Sequence, residues 1–199
     1  MQIHVTPGAL DATRVGAVVV PVFSDGRLDG AALAADVLLG GAIADVFHSG
    51  EIKGSANETA LIHAVGQSTK RVLVVGLGKR EKFDVASLAN YAGTAVRFLG
   101  KRNVTSIAIA LPLEAQTAPA HAAAVAVEGA LAGTVDATIY RTEPDKPILL
   151  EEIALLASAG DFAFDKNALE EGAERGRIIG EAVNFARQLA QTPANDMTP

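Results

Sequence analysis

Arg71-Val-Leu-Val-Val-Gly-Leu77, then Gly78-Lys79-Arg80, then the segment from Val85 to Leu99 decide the fold. Arg71 to Leu77 is a short, valine- and leucine-rich run followed by glycine, the pattern of a strand covered on both faces. Val85, Leu88, Ala89, Ala92, Ala95, Val96 and Leu99 recur at helical spacing. Asp84 stands where a cap is needed and Gly100 where the helix should end. A buried strand turning directly into an amphipathic helix is half of a parallel α/β unit.

The same alternation extends in both directions. Gln2 to Thr6 alternates polar and apolar, and Val15 to Val22 is a continuous β-branched run with Pro21 near its end. Leu28 to Leu39 has helical spacing and stops at Gly40-Gly41, and Thr59 to Ala64 reads as a short strand. Val104 to Leu111 is another buried strand, closed by Pro112. Pro119 to Ala132 is an alanine-rich helix, with Gly133 placed for a left-handed C-cap. Thr142 to Pro147 reads as a turn-rich link and Leu149 to Ala157 as a strand. A long helix from about Ala168 to Gln191 follows, with Asn167 and Glu170 at capping-box spacing, Glu171 and Glu174 near its start, Arg187 near its end and Pro193 as its stop. The expected architecture is α/β, a mixed and largely parallel sheet with helices on both faces.

Composition narrows the chemistry. The chain has 199 residues, 38 of them Ala, no Cys, four His and a net charge of −6. The absence of Cys excludes disulfides, thiolate metal sites and cysteine nucleophiles in this stretch. Residues 1–100 hold nine cations and nine acids, so the whole deficit lies in residues 101–199. An acidic chain without a basic run is a poor nucleic-acid binder, because phosphate neutralisation supplies most of that affinity. The apolar tract Ala31 to Phe47 is broken by Asp36 and Asp45 and is too short to span a bilayer, and residues 1–10 lack a signal-peptide pattern. A cytoplasmic protein without nucleic-acid or membrane partners is expected.

Few constellations suggest a site. Gly76-Leu77-Gly78-Lys79-Arg80 could bring backbone N–H groups and two cations to a phosphate. Glu81 stands where a dinucleotide fingerprint requires a third glycine, and no P-loop occurs, so a tight turn with solvated basic side chains is the expectation. Asp45 and His48 share a helical face, with His63 as a remote third ligand; a surface pair is the simpler reading. His4 and His121 read as structural, and neither Ser55 nor Ser68 sits in a nucleophile elbow. Gly172, Gly176 and Gly180 stack along one face of the long helix, which implies a close backbone crossing against the sheet or another helix. The opposite face, Ile178, Ala182, Phe185 and Leu189, is expected to be core.

The tail carries the most specific pattern. Asn184, Arg187 and Leu189 on the helix lead into Thr192, Pro193, Asn195, Thr198 and Pro199. This resembles the segment of leucyl (cytosol) aminopeptidases that joins an N-terminal domain to the catalytic domain, N-x-x-R-x-L followed by T/N-P-x-N-x-x-T-P. The strand and turn from Val74 to Lys79 and the pair Gly176-Arg177 are similar to the same family.

The resemblance implies a macro-domain-like fold over residues 1–160 and a linker helix over 161–199, leading toward a catalytic domain that this chain does not contain. Enzymes of that family use two divalent metals, zinc or manganese, to remove N-terminal residues such as leucine from peptides, and they assemble as hexamers. Their ligands and N-T-D-A-E-G-R signature belong to the catalytic domain, so no catalytic, cofactor-binding or metal residue transfers to this chain. The implied role is architecture and oligomer assembly, with position 199 a cut and not an end. The alternative is a stand-alone macro-like module binding ADP-ribose or a related nucleotide.

Overall fold

The computed structural model describes the chain except residues 8–12, 65–68, 113–117, 137, 139–141, 143–147, 158–164 and 198–199. Six strands form one sheet: β1 (Gln2–Pro7), β2 (Ala17–Val22), β3 (Thr59–His63), β4 (Arg71–Gly76), β5 (Ser106–Ala110) and β6 (Glu152–Ala157). Their spatial order is β1-β6-β5-β2-β4-β3, parallel throughout except for β3, which pairs antiparallel to β4 at one edge. The helices are α1 (Gly30–Leu38), α2 (Ala42–His48), α3 (Val85–Gly100), α4 (Pro119–Gly133) and α5 (Lys166–Gln191).

The expected alternation is therefore present, and burial explains its composition. Every residue of β2 is buried, because apolar clusters cover both faces of the sheet. Val18, Val20 and Val22 face the cluster that contains Ala32 and Ala35 of α1 and Ile43 of α2. Ala17 and Val19 face the cluster built from α3, α4 and the start of α5. Pro21 sits in this central strand without disrupting it. The pairing of β2 with β5 ends at Val19↔Ile109, whereas pairing with β4 continues to Val22↔Gly76. Val22 O turns toward β4 to accept from Leu77 N, so strand alternation puts the Pro21 nitrogen on the side already released by β5.

Where β2 and β5 part, the buried Tyr91 hydroxyl lies 3.1 Å from Val19 O and 2.9 Å from Ala110 O, and it donates into this gap. Burial raises the pKa of that phenol well above its ordinary value. Asp84 caps α3 as expected, accepting from Ser87 N at 2.8 Å while Ser87 Oγ accepts from Asp84 N.

Helix packing accounts for the small residues. Gly93 of α3 meets Gly129 and Gly133 of α4, and Gly172, Gly176 and Gly180 of α5 meet Ala120, Ala124 and Leu131 of α4. The contacts advance in the same direction on all three helices, which therefore run side by side and parallel. α4 lies between its two neighbours with ten residues buried, most of them alanine and glycine. The close crossing of the α5 glycines is thus against a helix.

Five expectations are corrected. Gly133 is helical and not left-handed, because it is needed as a contact with Gly93 and Val96. The cap of α5 is Asp165, which accepts from Ala168 N at 3.0 Å, and Asn167 lies inside the helix. The segment expected to stop at Gly40-Gly41 resumes as α2 after a sharp turn in which both glycines have positive φ. Asp36, read as an interruption of an apolar tract, caps α2 by accepting from Ile43 N and Ala44 N. Finally, Ile178, Ala182, Phe185 and Leu189 are exposed and not core; Phe185 is 62% and Ile178 55% accessible. Nothing among the described residues packs on that face, because α5 spends its glycine face on α4. Most of the link at 142–147 lies outside the described residues.

Candidate functional site

The carboxyl end of the sheet is where an open α/β fold places ligands, and the glycine turn stands there. Three of its backbone donors are engaged within the chain. Gly76 N donates to Glu58 O at 2.8 Å, Leu77 N to Val22 O at 2.8 Å and Gly78 N to Gly54 O at 2.8 Å. Gly78 O in turn accepts from Ser24 N at 2.9 Å. The loop that meets the turn is held by the Glu58 carboxylate, which accepts from Lys53 N and Ser55 N, both at 2.9 Å. Gly76 is required by proximity, because any side chain there would overlap the backbone of Gly54 and Ser55. Gly54 and Gly78 adopt φ of +70° and +79°, which only glycine takes without strain.

The basic side chains of this turn divide. Lys79 is exposed. Arg80, expected to be solvated, is folded back instead. Its Nε donates to Asp25 Oδ2 and its Nη2 to Asp29 Oδ2, both at 2.9 Å. The guanidinium also lies 4.1 Å from the centre of the Phe23 ring, whose other contact is the edge-on ring of Phe83. The Arg80 hydrogen bond holds the Asp25 carboxyl below its ordinary pKa, against the opposing effect of burial. This cluster ties the β2–α1 loop to the β4–α3 loop. The sequence concealed it, since 51 residues separate Arg80 from Asp29.

A small concavity lies beside the cluster, between the ends of β2 and β5 and the start of α1. Pro21, Phe23, Asp29, Leu111 and Pro112 line it, and its volume is about 10 Å³. That is room for about one water molecule, whereas small-molecule sites occupy about 300 Å³ or more. The N–H groups of Gly76, Leu77 and Gly78 are thus committed to backbone carbonyls, and Asp29 adds a carboxylate beside the turn.

The remaining candidates do not converge. Asp45 and His48 are on α2 and His63 ends β3; among the described residues no three His, Asp or Glu side chains gather as a metal site would. Ser55 belongs to the loop that braces the glycine turn, and Ser68 lies outside the described residues. His4 has a partner that its sequence position does not reveal. The parallel register of β1 and β6 brings its Nε2 to 3.6 Å from Glu152 Oε1. His121 is exposed on α4.

The feature left is α5 itself, 26 residues and about 39 Å long at 1.5 Å per residue. Its first half is seated on α4 through the glycine face. Arg177 bridges Glu174 and Glu181 on the outer surface, at 2.6 Å and 2.7 Å. Asn184 continues the four-residue series of the glycines and donates from Nδ2 to Leu131 O at 2.8 Å. From Phe185 to Gln191 every residue is exposed. The apolar face of Ile178, Ile179, Val183, Phe185 and Leu189 thus runs along a helix that projects past its support.

Residues 19–144 match the model of the cytosol aminopeptidase family, N-terminal domain. The chain belongs to that family. It is 40% identical over 200 residues to a probable cytosol aminopeptidase of Solibacter usitatus, covering 100% of this chain and 38% of the relative. A probable cytosol aminopeptidase of Geobacter sulfurreducens is 32% identical over 201 residues, covering 100% of this chain and 40% of the relative. The chain thus spans about two fifths of the length of these cytosol aminopeptidases. In fold it is similar to a tomato leucine aminopeptidase mutant, with a TM-score of 0.79 at 18% identity over 100% of this chain and 40% of that one. The macrodomain of Mycobacterium tuberculosis DarG gives a TM-score of 0.56 at 13% identity, covering 77% of this chain and 97% of that one. The macro-like α/β fold expected from the sequence is therefore present in the N-terminal domain of a cytosol aminopeptidase.

Proposed function

We propose that this domain is the architectural, non-catalytic part of a two-metal aminopeptidase that removes residues such as leucine from peptide N-termini. Residues 1–160 form the macro-like unit and 161–199 the connector to the catalytic domain. The catalytic domain supplies every metal ligand and reacting group; two divalent ions there, manganese or zinc, would activate water and polarise the scissile carbonyl. No catalytic, cofactor-binding or metal residue is assigned to this chain. Its contribution is to hold the connector and to take part in assembly of a hexamer, in a cytoplasmic enzyme. Among the described residues no single helix is long and apolar enough to cross a membrane.

The observation that carries this reading is the uncovered apolar face of α5, in a chain that belongs to the aminopeptidase family. A helix seated by glycines on one side and apolar on the other is built to lie between two bodies. Membership of the aminopeptidase family and the committed N–H groups of Gly76, Leu77 and Gly78 favour this reading over the ADP-ribose alternative.

The test is hydrolysis of a chromogenic leucine anilide with added manganese, by residues 1–199 alone and by the protein in which a catalytic domain follows. Turnover is expected only from the second. Turnover by residues 1–199 alone would overturn the reading.

A further inference from the structure

The two edges of the sheet are finished differently. At the ends of β3, Gly76 N donates to Glu58 O and Ala64 N to Lys70 O. Alternation then turns the backbone groups of Ala60 and Ile62 toward β4 and directs the N–H and C=O groups of Thr59, Leu61 and His63 away from the sheet. None of these outward groups has a hydrogen-bond partner among the described residues. The strand is half-buried up to Ile62, and His63 is exposed. Proteins commonly blunt such an edge with proline, lysine or another charge, because an open row of donors and acceptors is a template for a further strand. β1, at the opposite edge, ends in Pro7, which has no N–H to offer. Thr59 to Ile62 carry neither proline nor charge.

The open row is symmetric about Leu61. A second β3 laid antiparallel, with a two-fold axis at Leu61, sets Leu61 opposite its counterpart and Thr59 opposite the second copy's His63. Each facing pair then exchanges N–H···O bonds, and Ala60 faces Ile62 between them. No like-charged pair is brought face to face. α3 packs over β4 and β2, one strand in from the line of pairing. The catalytic domain is a poorer occupant of this edge. α5, which leads toward it, packs on α4 and β1, and β1 lies five strand spacings from β3, about 24 Å at ~4.8 Å each.

We propose that β3 is a dimerisation edge, through which two copies of this chain join their sheets antiparallel at Thr59, Leu61 and His63. This rests on the assembly role proposed above and is independent of the peptidase activity. It gives that role a surface, on the side of the domain away from the connector.

The chain has no Cys, so one introduced thiol reports one contact. In the proposed pairing the two Leu61 Cα atoms lie about 5.5 Å apart, within disulfide reach. Ala60 lies diagonal to its own counterpart at about 7–8 Å, beyond that reach. Under mild oxidation, Leu61→Cys is expected to link two copies both in residues 1–199 and in the protein carrying its catalytic domain, with the linked peptide identified by mass spectrometry. Ala60→Cys should link about tenfold less. Thr59→Pro removes an outward N–H at the first strand position and no bond within the sheet, so sedimentation should show weaker association at a nearly unchanged melting temperature. Wild-type residues 1–199 supply a check that needs no variant, since amide exchange at Leu61 should slow with rising concentration. Residues 1–199 still monomeric at about 1 mM, with Leu61 exchange unchanged, overturn the proposal. Equal linking of Ala60→Cys and Leu61→Cys, or an assembled larger protein in which Leu61→Cys does not link, also overturns it and leaves the assembly role standing. A larger protein that sediments as a monomer removes the assembly role and the pairing together.

Discussion

Gly176 of α5 lies against Ala124 of α4 so closely that a methyl group on the glycine would overlap both the carbonyl oxygen and the Cα of Ala124. On an exposed helix Gly→Ala is stabilising by about 1 kcal/mol. Here the sign reverses, because the obstacle is backbone and cannot turn aside. Gly176→Ala is expected to destabilise the chain by about 1–3 kcal/mol, read by chemical denaturation. Gly180→Ala should cost less, since much of what it meets is the movable end of the Leu131 side chain.

Tyr91→Phe leaves the carbonyls of Val19 and Ala110 without the hydroxyl between them. The rings are alike in size and the packing survives. A loss of about 1–3 kcal/mol is expected from the stranded acceptors, with an unchanged far-ultraviolet spectrum as the control.

The Arg80 cluster gives a pH dependence with a definite sign. The folded-state pKa of Asp25 is lowered, chiefly by the Arg80 hydrogen bond, so its stabilisation is present above the unfolded carboxylate pKa and is lost as pH falls through the folded value. The pair is partly exposed, which limits its worth to about 1 kcal/mol or less. Arg80→Ala should therefore be less stable than wild type at neutral pH, and the gap should narrow as the pH is lowered from about 5 to about 3. Thermal melts across that range provide the check.

Phe185→Glu and Ile178→Asp alter only exposed positions and should change the stability of residues 1–199 by no more than about 0.5 kcal/mol. In the protein that carries its catalytic domain, the same changes should weaken assembly and activity. Sedimentation and leucine anilide turnover measure the two effects. A loss of stability already present in residues 1–199 would show that the face is covered from within.

Much of the fold was readable because local pattern and tertiary setting agree. Val72 to Leu77 is apolar throughout since both sheet faces are covered, and Val85 to Leu99 is amphipathic since one face of α3 meets the sheet. Reading failed where a pattern has two physical causes. The stripe Ile178, Ala182, Phe185 and Leu189 has the spacing of a core face, but periodicity reports that a surface is apolar and not what covers it. Gly133 has the address of a helix terminus and the job of a contact. The Arg80–Asp29 and His4–Glu152 contacts were invisible because they arise from strand order, which no local window contains. Family membership was legible in the tail, from Asn184 to Asn195, because several spaced residues there agree at once.

The glycine seating of α5 makes the helix a lever. From Gly172 to Gln191 it runs about 28 Å at 1.5 Å per residue, and a tilt of ~5° at the seat would carry the tip about 2.5 Å. Catalysis tolerates misplacement of that size poorly. A single methyl group added at Gly172 would thus be magnified along the arm and displace whatever the far end of α5 meets.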